Sequence, residues 1–331
     1  MDYGPIFIGG LERSGTSLLY ALLASHPSIA MTRRTNLWTY FYQQYGDLSQ
    51  SKNFDRCLTA MMRYKRLLLL KPNPDRIRHE FWQGEPTYAR LFALLEEHFA
   101  EQLGRPRWGD KSLNTERYAD PIFAAYPNAR ILHMIRDPRD RYSSTVTRWK
   151  VSRGGAGAGT AMWLSSINFA ERNLKKYPDR YKVVRYESLV DQPEKILQEI
   201  CTFIGEEYTS VMLTMRGAET FRDEGGNSSY GQHEPGRIST KSIGRFRQVM
   251  SRPQIAFLQL FARREMLAYH YPLEELHFTL GEKISFYFWY VPINLMRLIA
   301  WRLREAFLNK TGRTLPSYRI VTEPEVAKAS A

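Results

Sequence analysis

Apolar residues follow two rhythms along this chain, and their alternation predicts its layout. Short unbroken apolar runs read as buried strands, and longer stretches with apolar residues three and four apart read as helices. "PIFIGG" begins with a strand from Pro5 to Ile8, and "TSLLYALLASH" follows as a helix stopped at Pro27, a residue that disfavours helix at His26 before it. "TYARLFALLEEHFAEQLG" is a second helix, ending at Gly104, and leads into the short apolar–polar stretch "RWGDKS". "ARILHMI" from Ala129 to Ile135 and "YKVVRY" from Tyr181 to Tyr186 are further strands. Strands alternating with helices imply a mainly parallel sheet covered on both faces, a three-layer α/β/α architecture whose ligands bind beyond the carboxyl ends of the strands.

Two segments depart from that rhythm. "SRGGAGAG", residues 152–159, has the composition of a mobile loop inside the sheet pattern. The last fifty residues contain "ISFYFWYVPINLM", thirteen residues without a charge, short of the roughly 20 needed to cross a bilayer. After Pro292, residues Leu295, Leu298, Ile299, Leu303 and Phe307 share one helical face, with Arg297, Arg302 and Arg304 off it. A basic amphipathic helix of this kind lies in a membrane interface, or packs on its own domain or a second subunit. The expected division is a main domain over residues 1–280 and a basic amphipathic extension over 281–331, with residues 284–307 as the candidate membrane contact and oligomerisation left open.

Composition narrows the partners. The chain has 331 residues, 43% of them hydrophobic, enough for a sizeable core, and a formal charge of +13 that favours anionic ligands or surfaces. Of its two cysteines, Cys201 lies in "ILQEICTFIG", whose helical apolar spacing makes it a buried thiol, so neither a disulfide framework nor a cysteine metal site is expected. The first strand starts before a signal peptide could fit, which sets the expectation of a cytoplasmic, or membrane-peripheral, protein.

Charge acquires direction in "GGLERSGTS", residues 9–17. A strand, a glycine turn and a helix start bring unpaired amides and the positive helix end together as an anion site. Gly9, Gly10 and Gly15 let the backbone curl, and Ser14, Thr16 and Ser17 supply hydroxyls. The ATP-site pattern GxxxxGK[ST] would need lysine where Thr16 stands, and the strand "ILHMI" runs into Arg136 before Asp137. Both features disfavour a P-loop kinase, and a nucleotide with one fewer bridging phosphate and no metal suits the loop better. A second anion site follows in "RDPRDRYSSTVTRWK". Pro138 opens a helix reaching about Lys150, Ser144 and Arg148 share a face, and Arg136 stands at its mouth, so guanidinium forks and a hydroxyl can hold a phosphate monoester. No nucleic-acid-reading module is evident, so no nucleic-acid partner is expected.

This pair of sites resembles the sulfotransferases that use 3′-phosphoadenosine 5′-phosphosulfate (PAPS), closest to the branch of tyrosylprotein sulfotransferases and bacterial homologues. "ERSGTS" is similar to the family's loop for the 5′-phosphosulfate, and Arg136, Ser144 and Arg148 match the spacing of its 3′-phosphate site. The resemblance covers about residues 4 to 270. It implies a P-loop-type fold, PAPS as co-substrate, a hydroxyl or amine acceptor, 3′,5′-ADP as product, and no metal. It also places Lys111 in "WGDKS" at the transferring sulfonate beside Arg13, Tyr186 in "VVRYESLVDQP" near the nucleotide, and Ser239, Lys241 and Arg245 in "RISTKSIGRFR" on a closing loop. Sulfonate transfer between oxygens is chiefly positioning and charge neutralisation, which cations provide without a metal.

The resemblance breaks at the general base. The tyrosylprotein branch carries a glutamate in a "GEETR"-like stretch, whereas "MTRRTNLW" puts Arg33 and Arg34 there, and "DKSLN" lacks the histidine of the cytosolic branch. Asp110, then Glu12 and Glu85, are the candidate bases. Asp110 can equally orient Lys111, and Glu85 can sit at a helix start. Arg33 and Arg34, followed by Trp38, Tyr40, Phe41 and Tyr42, suit an acceptor with an anionic part and a ring-shaped or apolar part, with Glu85 a further contact. The histidines, His26 and His133 among them, lack metal-ligand spacing and are expected to serve packing or surface roles.

Overall fold

The computed structural model describes residues 4–149, 154–218 and 238–311. Five parallel strands form one sheet: β1 Ile6–Gly10, β2 Ile29–Arg33, β3 Arg107–Lys111, β4 Arg130–Ile135 and β5 Tyr181–Arg185, in the order β2-β3-β1-β4-β5. β1 lies at the centre, with Phe7 opposite Asp110 on one side and Ile131 on the other. Its five residues are all buried, which is why an unbroken apolar run and not an alternating one marks it in the sequence.

Six helices matter for the site and its surroundings: α1 Thr16–Ala24, α2 Tyr88–Gln102, α3 Pro138–Trp149, α4 Gly155–Lys176, α5 Pro193–Ile204 and α6 Arg252–Ala268. Ile6 and Ile8 pack with α1 and α5 on one face, where Cys201 is buried among Leu197, Ile200 and Ile204. Phe7 and Ile131 pack with α2 on the opposite face, and α4 covers the same side of β4, with Ser166 bonded to His133. The three-layer α/β/α architecture expected from the alternation of strands and helices is the one observed.

Three parts differ from the sequence reading. "RWGDKS" contains the buried strand β3, and "IAMTR" forms the edge strand β2. Both are too short to declare a period, and their place comes from pairing with each other. Thr87, not Glu85, caps α2, its side chain accepting from the Arg90 amide, and Glu85 is an exposed residue of the preceding turn.

The third difference concerns residues 152–159. Within the described part of that stretch, Gly155 begins α4, and Ala156–Gly159 are buried instead of forming a loop. Their small size serves a helix crossing. A C-terminal helical segment, Leu280–Ser285 continuing through a π-helical turn Phe286–Tyr290 into α7 Val291–Thr311, lies along α4. A Cβ on Gly157 would come within 1.9 Å of the Asn294 carbonyl oxygen, and the Gly157 amide donates to Asn294 Oδ1 at 3.1 Å. The stripe of glycine and alanine therefore lets two backbones approach. Leu298 faces inward, whereas Ile299, Leu303 and Phe307, expected on the same face, are exposed.

Gly157→Leu should separate these helices and lower stability by about 1–3 kcal/mol, as overpacking does. Urea titration followed by circular dichroism should show an earlier midpoint, and an unchanged midpoint would mean that the crossing contributes nothing.

Candidate active site

The phosphate loop turns on two glycines. Gly10 has φ +116° and Gly15 φ +91°, conformations that L side chains rarely adopt. Space forbids a side chain as well, because a Cβ on Gly10 would lie 2.4 Å from the Met134 carbonyl oxygen and one on Gly15 2.3 Å from the Tyr186 ring. Gly15 caps α1 without a side-chain partner, and the amides of Gly15, Thr16 and Ser17 donate to no described residue, so the helix opens with its positive end presented. Beneath the loop, buried Glu116 accepts from the Gly10 amide at 2.8 Å and holds the turn.

The second anion site faces the first. Arg13 Nε donates to Ser144 Oγ at 2.8 Å, linking the loop to α3. Arg136 donates to the Arg13 carbonyl at 3.1 Å and to the Ser242 carbonyl at 2.8 Å, and its guanidinium lies 4.4 Å from the Tyr186 ring centroid. Tyr186 Oη and Ser242 Oγ are 2.6 Å apart. Arg13, Arg136, Ser144 and Tyr186 are thus brought together from three separate stretches of sequence. Arg148 follows Ser144 by one helical turn and is exposed.

The late segment meets the site through a residue that sequence reading passed over. Ser242 makes the contacts to Arg136 and Tyr186, whereas Ser239 accepts from the Lys241 amide, Lys241 is exposed and Arg245 is half-buried. Asp140 fixes this turn by accepting from the amides of Gly244 and Phe246 at 2.7 and 2.9 Å. Asp137 is engaged by Arg139, which reaches both carboxylate oxygens, at 3.0 Å through Nε and 2.6 Å through Nη2. Arg141, also unforeseen, is buried and lies 3.5 Å from Glu12, so Glu12 is turned toward a cation and not simply into solvent. Alternating acids and arginines in "RDPRDR" were visible, but which of them point inward depends on α3 packing against Phe246 and α4.

Lys111 ends β3 and is almost wholly buried. Its ammonium makes no hydrogen bond or ion pair to a described residue. Burial, then Arg34 and Arg33, push its ammonium down from 10.5 to about 7, and Asp110 only partly offsets this. Asp110 points to the other side of the sheet from Lys111, because successive strand residues alternate. It has no exposed surface and accepts from Thr32 at 2.9 Å and Thr35 at 2.7 Å. Burial raises its pKa, and buried Glu96, 3.2 Å from the same Thr32 hydroxyl, is raised well above the usual range by burial and by Asp110. Facing away from Lys111, Asp110 braces the turn carrying Thr35 and Ser112.

The arginines next to Lys111 come from the end of β2. Arg33 lies 5.7 Å from the Tyr20 ring centroid, and Arg34, in left-handed conformation at φ +61°, donates its amide to the Lys111 carbonyl at 2.7 Å. Arg66, which sequence reading missed, donates to the Arg34 carbonyl at 3.0 Å. Trp38 is buried against Tyr42, Tyr88 and Phe92, and Phe41 is buried too, so these two are core residues; Tyr40 and Tyr42 are the partly exposed rings of the segment. Glu85 shares no described contact with this cluster. Among the described residues, no group of three or more His, Cys, Asp or Glu could hold a metal ion.

The central parallel sheet, the glycine loop leading into α1 and the cationic start of α3 define an α/β protein with a P-loop-type fold. The sulfotransferase family's profile matches residues 5–210, and the chain belongs to that family of enzymes. It is 27% identical over 213 residues to a putative protein-tyrosine sulfotransferase of Caenorhabditis briggsae, a match covering 63% of this chain and 68% of the relative. It is 24% identical over 214 residues to the protein-tyrosine sulfotransferase of Drosophila melanogaster, covering 63% of this chain and 39% of that one. In fold it is similar to the sulfotransferase domain of the Synechococcus PCC 7002 olefin synthase, with a TM-score of 0.57, 22% identity, and coverage of 82% of this chain and 95% of that domain.

Lys111 gives a stability test with a definite sign. Between about 7 and 10.5 the unfolded chain holds a proton that the folded chain has lost, so folding stability rises with pH across this window, and the full cost of burying the charge is present below about 7. Lys111→Met should therefore raise Tm while abolishing transfer. The gain should be greatest near pH 6, on the order of 5 kcal/mol at most, and should fade toward pH 10. Differential scanning calorimetry across that range checks it, and a destabilised or pH-independent Lys111→Met would count against the buried, depressed ammonium.

Proposed function

We propose that this chain transfers a sulfonate group from PAPS to a hydroxyl or amine acceptor and releases 3′,5′-ADP, without a metal ion. The observation that carries the reading is the Arg13–Ser144 hydrogen bond, which joins the helix-start anion site to the Arg136 site. The residues fit such a ligand: a glycine turn that a Cβ would fill, three outward amides, hydroxyl donors on Ser14, Thr16, Ser17 and Ser144, and guanidinium groups on both sides. Arg148 and the 239–245 segment stand beside that cluster as further donors to the nucleotide.

When bound, such a donor supplies an activated sulfonate whose sulfur–oxygen bond to the 5′-phosphate breaks as the acceptor oxygen or nitrogen bonds to sulfur. Thr16 and Ser17, at the positive end of α1, hold the phosphate on which negative charge accumulates. Arg13 and Lys111 neutralise the equatorial oxygens. Lys111, its ammonium pushed down to about 7 and so only partly protonated at neutral pH, becomes fully charged beside an anion, which concentrates its stabilisation in the loaded site. Asp137 is occupied by Arg139 and is not available to hold Mg²⁺, which tells against the kinase alternative.

For the acceptor, Arg33, Arg34 and Arg66 surround Lys111 with positive charge where the protein-tyrosine branch carries an acid. This favours an acceptor bearing its own anionic group, read by guanidinium forks, with Tyr40 and Tyr42 beside it. Of the buried carboxyls, Asp110 and Glu96 share Thr32 and Glu116 holds the Gly10 amide.

Isothermal titration calorimetry with 3′,5′-ADP should show Mg²⁺-independent binding that Arg13→Ala or Ser144→Ala weakens at least about tenfold, the effect of losing one charge-assisted contact. Equal affinity for ATP, or a requirement for Mg²⁺, would restore the kinase reading. Arg34→Ala should raise the acceptor KM while 3′,5′-ADP affinity stays unchanged; loss of nucleotide affinity would place Arg34 at the donor instead.

A further inference from the structure

The contacts that the described residues make with the C-terminal helical segment run along its α4 side. Toward α4, Asn294 meets Gly157, Leu298 is buried, and Glu305 accepts from Ser165 at 2.7 Å and pairs with Arg117. Near its start, Thr279 and Glu282 form a reciprocal cap, and Glu282 pairs with Arg252 at 2.5 Å. Phe286 turns inward and stacks on Phe278 and Tyr290. These contacts fix which side of the helix faces away from the protein.

The outward side is apolar along its length. Phe288, Trp289, Ile293, Met296, Ile299 and Leu303 are exposed, Trp289 by 70% and Leu303 by 66%. Ile293, Met296 and Leu303 lie on one helical face, and the π-helical turn places three consecutive aromatics, Tyr287 to Trp289, at one end of it. A rigid exposed stripe of this extent is unusual on a monomer's surface and marks a site of association. No described helix is long and apolar enough to cross a membrane, so an apolar surface would be met along the stripe and not by insertion of a span.

Charge identifies the occupant. The segment from Leu280 to Thr311 contains two acids, Glu282 and Glu305, and both pair with arginines of the main domain. Its exposed cations, Lys283, Arg297, Arg302 and Arg304, flank the apolar stripe with no acid of the segment among them. Two copies meeting stripe to stripe would bring like charges together, since a two-fold contact joins the same surface to itself. An anionic lipid surface complements both features, apolar side chains entering the acyl boundary and cations remaining at the headgroups. The +13 charge of the whole chain acts in the same direction.

We propose that residues 284–307 form a fixed membrane-docking face that lies in the interface of anionic bilayers, bringing the transfer site to lipid-borne or membrane-associated acceptors. The docking itself does not depend on the donor or the chemistry proposed above.

The test is co-sedimentation of the full chain with vesicles of phosphatidylcholine alone and of phosphatidylcholine mixed with phosphatidylglycerol. Binding should require the anionic lipid, weaken in high salt, and fall by at least about tenfold in a Trp289→Ser/Leu303→Glu variant whose thermal melt and 3′,5′-ADP affinity match the parent. Brominated lipid should quench tryptophan fluorescence in the parent and quench it less in Trp289→Phe. Absence of binding to anionic vesicles, or equal binding by the variants, overturns the proposal. A dimer that the same substitutions dissolve, with no lipid binding, overturns it in favour of a second copy as the occupant.

Discussion

Arg136 is the joint on which the site depends. Its guanidinium packs on Tyr186, donates to the carbonyl of Arg13 in the phosphate loop, and donates to the carbonyl of Ser242 in the late segment. Four stretches of chain converge on one planar cation because it offers five donors in fixed directions and a flat face for stacking. The surrounding pairs keep this arginine in place. Asp140 holds the turn at 244–246, Glu187 accepts from the Asp137 amide, and Trp163 donates to the Arg136 carbonyl.

Electrostatics at the neighbouring strand ends work in the opposite sense. Lys111 is buried without an acidic hydrogen-bond partner, and Arg33, Arg34 and Arg66 add positive charge around it. Such an arrangement is unfavourable in isolation and becomes favourable when an anion enters, which is how a site for negatively charged reactants stores its affinity. The cost is contained by the rest of the fold, where the apolar faces of β1 pack against α1, α5 and α2. Asp110 and Glu96, on the far side of the sheet, share Thr32 and stabilise the turn instead of neutralising Lys111 through a direct contact.

Much of this was legible in the sequence. β1 and β4 are apolar runs that a buried strand explains, β5 is marked by its paired valines, and "GGLERSGTS" and "RDPRD" carry their chemistry in local spacing, since each motif is contiguous. β2 and β3 were not legible as strands: β3 carries one large apolar residue, Trp108, beside Arg107, Asp110 and Lys111, and both take their place from the ladder they join. "GGAGAG" misled for a related reason. Glycine and alanine signal flexibility when nothing packs on them, yet here they admit a neighbouring helix, and the neighbour lies more than a hundred residues away. Trp38 was misplaced likewise: an aromatic beside two arginines looks like a ligand contact until Tyr42, Tyr88 and Phe92 close around it.

The sequence by itself determined the sheet-and-helix class, the glycine turn ahead of α1 and the cationic start of α3, because these rest on short-range hydrogen bonding and hydrophobic patterning. Tertiary structure decided which charges are buried, that Ser242 and not its neighbours meets Arg136, that Asp110 is enclosed, and which side of the C-terminal helix faces outward. Those outcomes depend on contacts between segments far apart in sequence. A helix or strand alone carries an apolar pattern, but only the partner it packs against settles which part of that pattern is covered.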